Sequence, residues 1–289
     1  MIIKTYGCPF NHTISSCVGK TPSNHAWHHV DQHGETELSK TALYCDNNIT
    51  GGFEDTLNDH KFLWLSESRA IAQGQNIFFK NNIDKFCEEY DLIFTHDRQH
   101  LNRSKNIVYC PPASNLTWIK EPEIKNKSKL CSFICSGKTM CLGHKIRNET
   151  AIKLAENGHP VDLYGKFAHN PIENKEEALN DYMFSITFEN DRYDDYYTEK
   201  LMDCFATGTI PIYYGVPRVG EIFDIDGIIV VDENTDYEEI FDMITPELYE
   251  SRMGAVEKNY NKCINGILAD DIIYNEVKKW REHDIPTSI

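Results

Sequence analysis

The stretch Phe184 to Pro217, FSITFENDRYDDYYTEKLMDCFATGTIPIYYGVP, limits the fold of this chain more than any other. Phe184 to Phe188 alternates apolar with small polar residues, as a half-buried strand does. A polar loop follows from Glu189 to Tyr197, dense in carboxylates and tyrosines. Thr198 then caps a helix whose first turn carries Glu199 and Lys200, with Leu201, Met202, Phe205 and Ala206 at helical spacing. Gly208 stops the helix, and Thr209 to Tyr214 reads as a second buried strand ending at Gly215 and Pro217. Strand, loop, helix and strand within 34 residues are a unit of an α/β sheet. In such sheets ligands sit beyond the carboxyl ends of the strands, where helix N-termini offer free N–H groups and a positive dipole end. That environment suits a phosphate, Lys200 adds a full charge, and Glu199 can accept from sugar hydroxyls. Taken alone, the same Glu–Lys pair also fits an ordinary solvated helix turn.

FENDRYDDYYTEK followed by GTIPIYYG resembles the signature of the family 10 glycosyltransferases, the α-1,3/4-fucosyltransferases. Phe188, Glu189, Asn190, Tyr196, Thr198, Glu199, Lys200, Pro211 and Gly215 fall into its register without a gap, over about 35 residues. The resemblance implies two Rossmann-like α/β domains facing across a cleft, the GT-B arrangement, here with a reduced N-terminal domain. It also implies a nucleotide sugar, GDP-fucose, as donor, held in the C-terminal domain by Asn190, Tyr196, Thr198, Glu199 and Lys200, with no essential metal or other cofactor.

A chain of 289 residues is long enough for two domains, each with its own core. The formal charge of −16, unbroken by any run of Lys or Arg, argues against a nucleic-acid partner. No apolar run reaches membrane-spanning length, and Met1 to Tyr6 is too short for a signal peptide. Ten scattered cysteines without a small-domain framework fit reduced thiols. Together these features lead to the expectation of a cytoplasmic enzyme of a bacterium or virus.

Residues 1–118 alternate β-like runs (Ile2–Tyr6, Ala42–Cys45, Phe62–Leu65, Leu92–Thr95, Ile107–Cys110) with short helical segments, which predicts a small parallel sheet; the resemblance implies that this N-terminal domain takes the acceptor. Thr21 to Glu37 reads as a polar loop. Its His25, His28, His29 and His33 lack the second ligand pair of a zinc site. Glu67 stands just past a buried strand. The resemblance places there the general base that takes the acceptor proton, although its flanking residues differ from the family pattern; a solvated strand-end carboxylate is the alternative. Ile119 to Lys129, IKEPEIKNKSK, reads as a linker, and residues 130–269 as the nucleotide-sugar domain. A helix is predicted over Ile146–Asn157, with Arg147 in its first turn matching the family's I-R-N, whose Arg grips the donor diphosphate. Ser136-Gly-Lys-Thr139 lacks the first glycine and spacing of a P-loop. Asp194 and Asp195 fall in a variable loop rather than at a metal site. Residues 270–289 read as a terminal helix, of the kind that crosses back to the N-terminal domain in two-domain glycosyltransferases.

The expected activity is inverting transfer of fucose from GDP-fucose to a hydroxyl of a glycan. Two alternatives stay open: another nucleotide-sugar donor, including UDP-sugars, and an idle sugar-nucleotide or glycan-binding protein. The acidic balance counts against a DNA-modifying glucosyltransferase.

Overall fold

Runs of β-branched and aromatic residues at strand spacing build two separate parallel sheets. The computed structural model describes residues 1–7, 27–112 and 116–284. It divides into one unit of Met1–Asn115 with Ile267–Ile289, and a second of Leu116–Gly266.

The first unit holds β1 (Ile3–Tyr6), β2 (Trp27–His29), β3 (Thr41–Cys45), β4 (His60–Leu65), β5 (Leu92–Thr95) and β6 (Ile107–Tyr109). They pair in parallel in the order β2-β1-β3-β4-β5-β6. Alternation along the strands sends Leu43, Phe62, Trp64 and Phe94 to one face, where Ala269, Ile273 and Val277 of the helix Ala269–Asp284 cover them. Ala42, Leu63 and Ile93 go to the other face, against Phe79, Ile83 and Phe86 of the helices Gln73–Asn81 and Ile83–Glu89. Trp280 meets Phe62 and His60 edge-on, 5.4 and 5.2 Å between ring centres.

The segment read as a His-rich loop is different in the structure. Trp27–His29 is an edge strand in register with β1, and Val30–His33 is one helical turn. His29 Nδ1 lies 2.9 Å from Thr5 Oγ1, and His28 Nε2 lies 2.9 Å from the Gly34 carbonyl oxygen. These histidines serve the sheet edge and its turn. His25 falls outside the described residues.

The second unit holds β7 (Lys129–Ile134), β8 (Asp162–Tyr164), β9 (Tyr182–Phe188), β10 (Ile210–Tyr214) and β11 (Ile229–Val230), all parallel, in the order β11-β10-β9-β7-β8. The chain leaves β7 for β8 on one side and returns as β9 on the other. The carboxyl ends of β7 and β9 therefore form a topological switch point, the place where open α/β sheets bind ligands. Ala151 and Leu154 of the helix Leu142–Glu156 pack on the face made by Phe133, Ile186, Phe188 and Tyr214. Leu201, Met202 and Phe205 of the helix Glu199–Ala206 cover the opposite face with Tyr213 and Cys263.

Ile119–Lys129 is packed against the second unit and is no free linker. Ile119 is fully buried, Glu123 N donates to the Ala206 carbonyl, and Ile124 packs against the core. The Lys127 ammonium reaches the carbonyls of Leu179, Asn180 and Thr207. Two isoleucines and one lysine decide this, in a segment whose other side chains, Pro122 apart, are polar.

Candidate functional site

At the switch point, β9 runs out into Glu189. Its backbone N–H is still on the sheet, donating to the Tyr214 carbonyl at 2.8 Å. The Glu189 side chain turns inward and is 1% exposed. Its carboxylate accepts from Thr198 N and Thr198 Oγ1, both at 2.8 Å, and from Lys200 Nζ at 3.3 Å. Burial pushes this carboxyl above its ordinary range, against the pull of Lys200. Glu189 thus fixes the start of the next helix from below. Thr198 has extended φ and ψ and caps that helix, its Oγ1 accepting from the Lys200 backbone N–H at 3.5 Å and also from Lys200 Nζ at 2.8 Å.

Four more charges continue from Glu189. Lys200 Nζ lies 3.4 Å from Glu199 Oε1, and Lys175 Nζ lies 3.6 Å from the same oxygen. Lys175 also bonds Asp203, one turn along the helix from Glu199. The order is Glu189, Lys200, Glu199, Lys175, Asp203: alternating signs throughout. Burial works against ionisation of Glu199, but Lys200 and then Lys175 outweigh it and hold the carboxyl at about 2. Burial likewise opposes the charge on Lys200, and the carboxylates of Glu199 and Glu189 keep its ammonium well above its usual value. Asp203, 1% exposed, is pushed up by burial and steadied by Lys175; it accepts from Thr117 Oγ1 at 2.8 Å and Trp118 N at 2.7 Å. Lys200 and Glu199 reach the surface at the head of the helix, where their side chains are 30% and 21% exposed. An ammonium, a hydrogen-bond-accepting carboxylate and a helix N-terminus share one spot.

The β7 side of the switch point closes against the same loop. The helix there begins at Leu142, four residues before its expected start, so Arg147 sits in the second turn rather than the first. Gly143 lets this happen: a Cβ on it would stand 2.5 Å from the Asn190 carbonyl oxygen and 2.9 Å from that of Glu189. Cys141 Sγ donates to the Asn190 carbonyl at 3.1 Å. Arg147 is 5% exposed, and its Nη2 donates to the carbonyls of Ser136 (2.8 Å) and Lys138 (3.1 Å). Its guanidinium therefore braces the loop after β7. No hydrogen bond inside the described residues uses its Nη1. Tyr196, expected to line a pocket, is 2% exposed and stacks on Tyr193 with centroids 5.2 Å apart. Asp194 is bound to Arg218 at 2.9 Å. Among the described residues no group of three or more His, Cys, Asp or Glu is arranged to hold a metal ion.

Glu67 belongs to the first unit and follows the carboxyl end of β4. Asp46, at the end of β3, accepts from Ser66 N at 2.9 Å and Glu67 N at 3.2 Å, fixing the backbone of this corner. Glu67 Oε1 accepts from Ser68 N at 2.7 Å. Nearby, Arg69 forks onto Asp97 with both bonds at 2.6 Å.

Residues 124–248, which contain the whole charged chain, match the family described as glycosyltransferase family 10 (fucosyltransferase), C-terminal part. The protein is family 10 fucosyltransferase-like. The alpha-(1,3)-fucosyltransferase FucT of Helicobacter pylori is 37% identical over 73 residues, 25% of this chain and 15% of that protein. A GDP-fucose protein O-fucosyltransferase 3 of Danio rerio is 36% identical over 88 residues, 26% of this chain and 19% of its own length. The fucosyltransferase-like chain thus aligns with less than a fifth of each of these relatives. Its fold extends the likeness: an alpha1,3-fucosyltransferase solved with GDP-fucose superposes at a TM-score of 0.52 and 17% identity, over 88% of this chain and 80% of that one. The two parallel α/β sheets are those of the GT-B glycosyltransferases.

The motif reading of this fucosyltransferase-like chain found Lys200, Glu199 and Thr198 in one place. It missed Glu189 as the buried support, and Lys175 and Asp203 entirely. Asp203 had a signal, being a carboxylate on the core side of an amphipathic helix, where only a paired charge is tolerable. Lys175, 24 residues upstream of Glu199, had none.

Proposed function

We propose that this protein is an inverting glycosyltransferase that moves fucose from GDP-fucose to a hydroxyl of a glycan. The observation that carries the proposal is Lys200 and Glu199 at the Thr198-capped helix head, on the switch-point end of the second sheet and inside the family match. As the glycosidic bond breaks, charge builds on the departing diphosphate. The Lys200 ammonium and Nη1 of Arg147 neutralise it, so the positive charge comes from side chains and no metal ion is assigned a part. Glu199 and Asn190 take ribose or donor-sugar hydroxyls. Glu67 is assigned the role of the base that removes the acceptor proton as the hydroxyl attacks the anomeric carbon with inversion.

Calorimetry and thermal shifts with GDP, UDP, ADP and GDP-fucose, with and without EDTA, test the donor. A ligand at 100 times its Kd raises stability by about 2.7 kcal/mol. GDP and GDP-fucose are expected to bind best, EDTA to change nothing, and Lys200→Ala to abolish the shift. Tighter binding of UDP would transfer the proposal to a UDP-sugar, and no nucleotide binding would sink it.

A further inference from the structure

Lys175 sits in the short 3-10 turn Lys175–Ala178 that precedes β9, yet its side chain ends at the helix Glu199–Ala206. Its ammonium bridges two carboxylates spaced one turn apart on that helix, Glu199 and Asp203. Lys200 and Lys175 approach the same oxygen of Glu199: Lys200 from the helix itself at 3.4 Å, and Lys175 from the turn before β9 at 3.6 Å. The other oxygen, Oε2, has no ion pair among the described residues. A carboxylate with one oxygen clamped from two directions has little rotational freedom left. With the Thr198 side chain also in hydrogen-bonding contact, the carboxylate is held in one orientation at the head of the helix.

We infer that Lys175 is a positioning residue of the donor site: by clamping Glu199 to Asp203 it aims the Glu199 carboxylate at the ribose hydroxyls of the nucleotide. The inference rests on the donor-site reading above and adds to it a residue outside the signature motif. Asp203 anchors the clamp, since it is itself held by Thr117 Oγ1 and Trp118 N. The charged groups around Glu199 are Lys200 and Asp203 on its own helix, Lys175 from the turn before β9, and, through Lys200, Glu189 after β9; the neutral Thr198 side chain joins them. With Lys175 gone, Glu199 faces Lys200 alone beside two further carboxylates, so its proton affinity rises.

Two readouts separate a positioning role from a merely structural one. In the free protein, carboxyl NMR of glutamate-labelled samples follows the titration of Glu199 in wild type, Lys175→Met and Lys175→Arg. The Met variant is expected to titrate at least one pH unit higher, and the Arg variant to return most of the way. Because Lys175→Met leaves Asp203 buried without its cation, the double variant Lys175→Met/Asp203→Asn is measured alongside as the form that keeps its fold. In calorimetry, wild type is expected to prefer GDP over 2′,3′-dideoxy-GDP by about tenfold or more, the scale of hydrogen bonds to a charged acceptor. Loss of Lys175 brings that ratio close to one, and Lys175→Arg restores it. Lost phosphate attraction alone would weaken both nucleotides equally, so an unchanged ratio with an unmoved Glu199 titration overturns the inference. If wild type binds no GDP, the donor reading falls, and the Glu199 titration alone decides on Lys175.

Discussion

Lys127 offers a test of the packing of the second unit that is independent of catalysis. Its ammonium is enclosed by oxygens alone: the carbonyls of Leu179 (3.2 Å), Asn180 (2.9 Å) and Thr207 (2.6 Å), and Thr209 Oγ1 (3.2 Å). Among the described residues no carboxylate is in ion-pair contact with it. Burial therefore lowers its pKa from 10.5 to about 8. Below pH 8 the lysine is charged in both folded and unfolded chains, and folding carries the full cost of burying the charge. Between 8 and 10.5 the unfolded chain holds more protons than the folded one, so stability rises with pH. For a shift of this size, linkage gives a gain of about 2.5 kcal/mol between pH 7 and pH 10. The buried thiols and phenols, whose pKa values are raised, act in the opposite direction, so the quantity to measure is a difference. Urea unfolding of wild type and Lys127→Met, followed by circular dichroism at pH 7, 8, 9 and 10, supplies it. The wild-type-minus-variant stability should climb by about that amount. A difference that stays flat or falls would refute the account of Lys127 as a half-buried charge held by oxygens without a carboxylate partner among the described residues.

Gly143→Ala places a Cβ 2.5 Å from the Asn190 carbonyl oxygen, where ordinary contact begins at 3.4 Å. The two switch-point loops must then part by nearly 1 Å, and the expected result is a loss of about 1–3 kcal/mol in thermal or urea unfolding together with weaker GDP binding. Thr198→Ala removes the cap and two supports of the Glu189–Lys200 pair; it should cost about 1–2 kcal/mol of stability and raise the Kd for GDP, both readable from one set of thermal shifts. Glu67→Gln should lower kcat by a factor of about 10² to 10⁴ with GDP affinity unchanged, which steady-state kinetics and calorimetry check together.

What the sequence disclosed follows the range of the interactions. The signature was legible because strand, capped helix and strand are local patterns, and β9, the helix Glu199–Ala206 and β10 lie where the periodicity put them. The start of the helix Leu142–Glu156 was obscured by an exposed Leu142, 67% accessible, and by a Cys141 that offers no side-chain cap. Trp27–His29 is too short to show alternation, and its strand identity comes from pairing with β1. The segment 119–129 looked like a linker because its burial depends on partners 50 to 80 residues away in sequence. Lys175 escaped for the same reason: a cation that neutralises distant carboxylates looks like any surface lysine until the chain is folded.

The alternating charges also shape which substitutions the molecule can absorb. Removing one member strands its neighbour as a buried, uncompensated ion, at a typical cost of about 3–5 kcal/mol, whereas swapping a pair for apolar residues of similar size is often neutral. Lys175 and Asp203 form such a pair, but Lys175 is tied to Glu199 as well, so a coupled apolar swap would keep the fold and still disturb the head of the helix. In a combinatorial library scored for folding, the two positions should drift together. Scored for nucleotide binding, position 175 should stay basic whatever stands at 203. The gap between those two selections is a measure of how far the ligand, beyond the fold, dictates this corner of the chain.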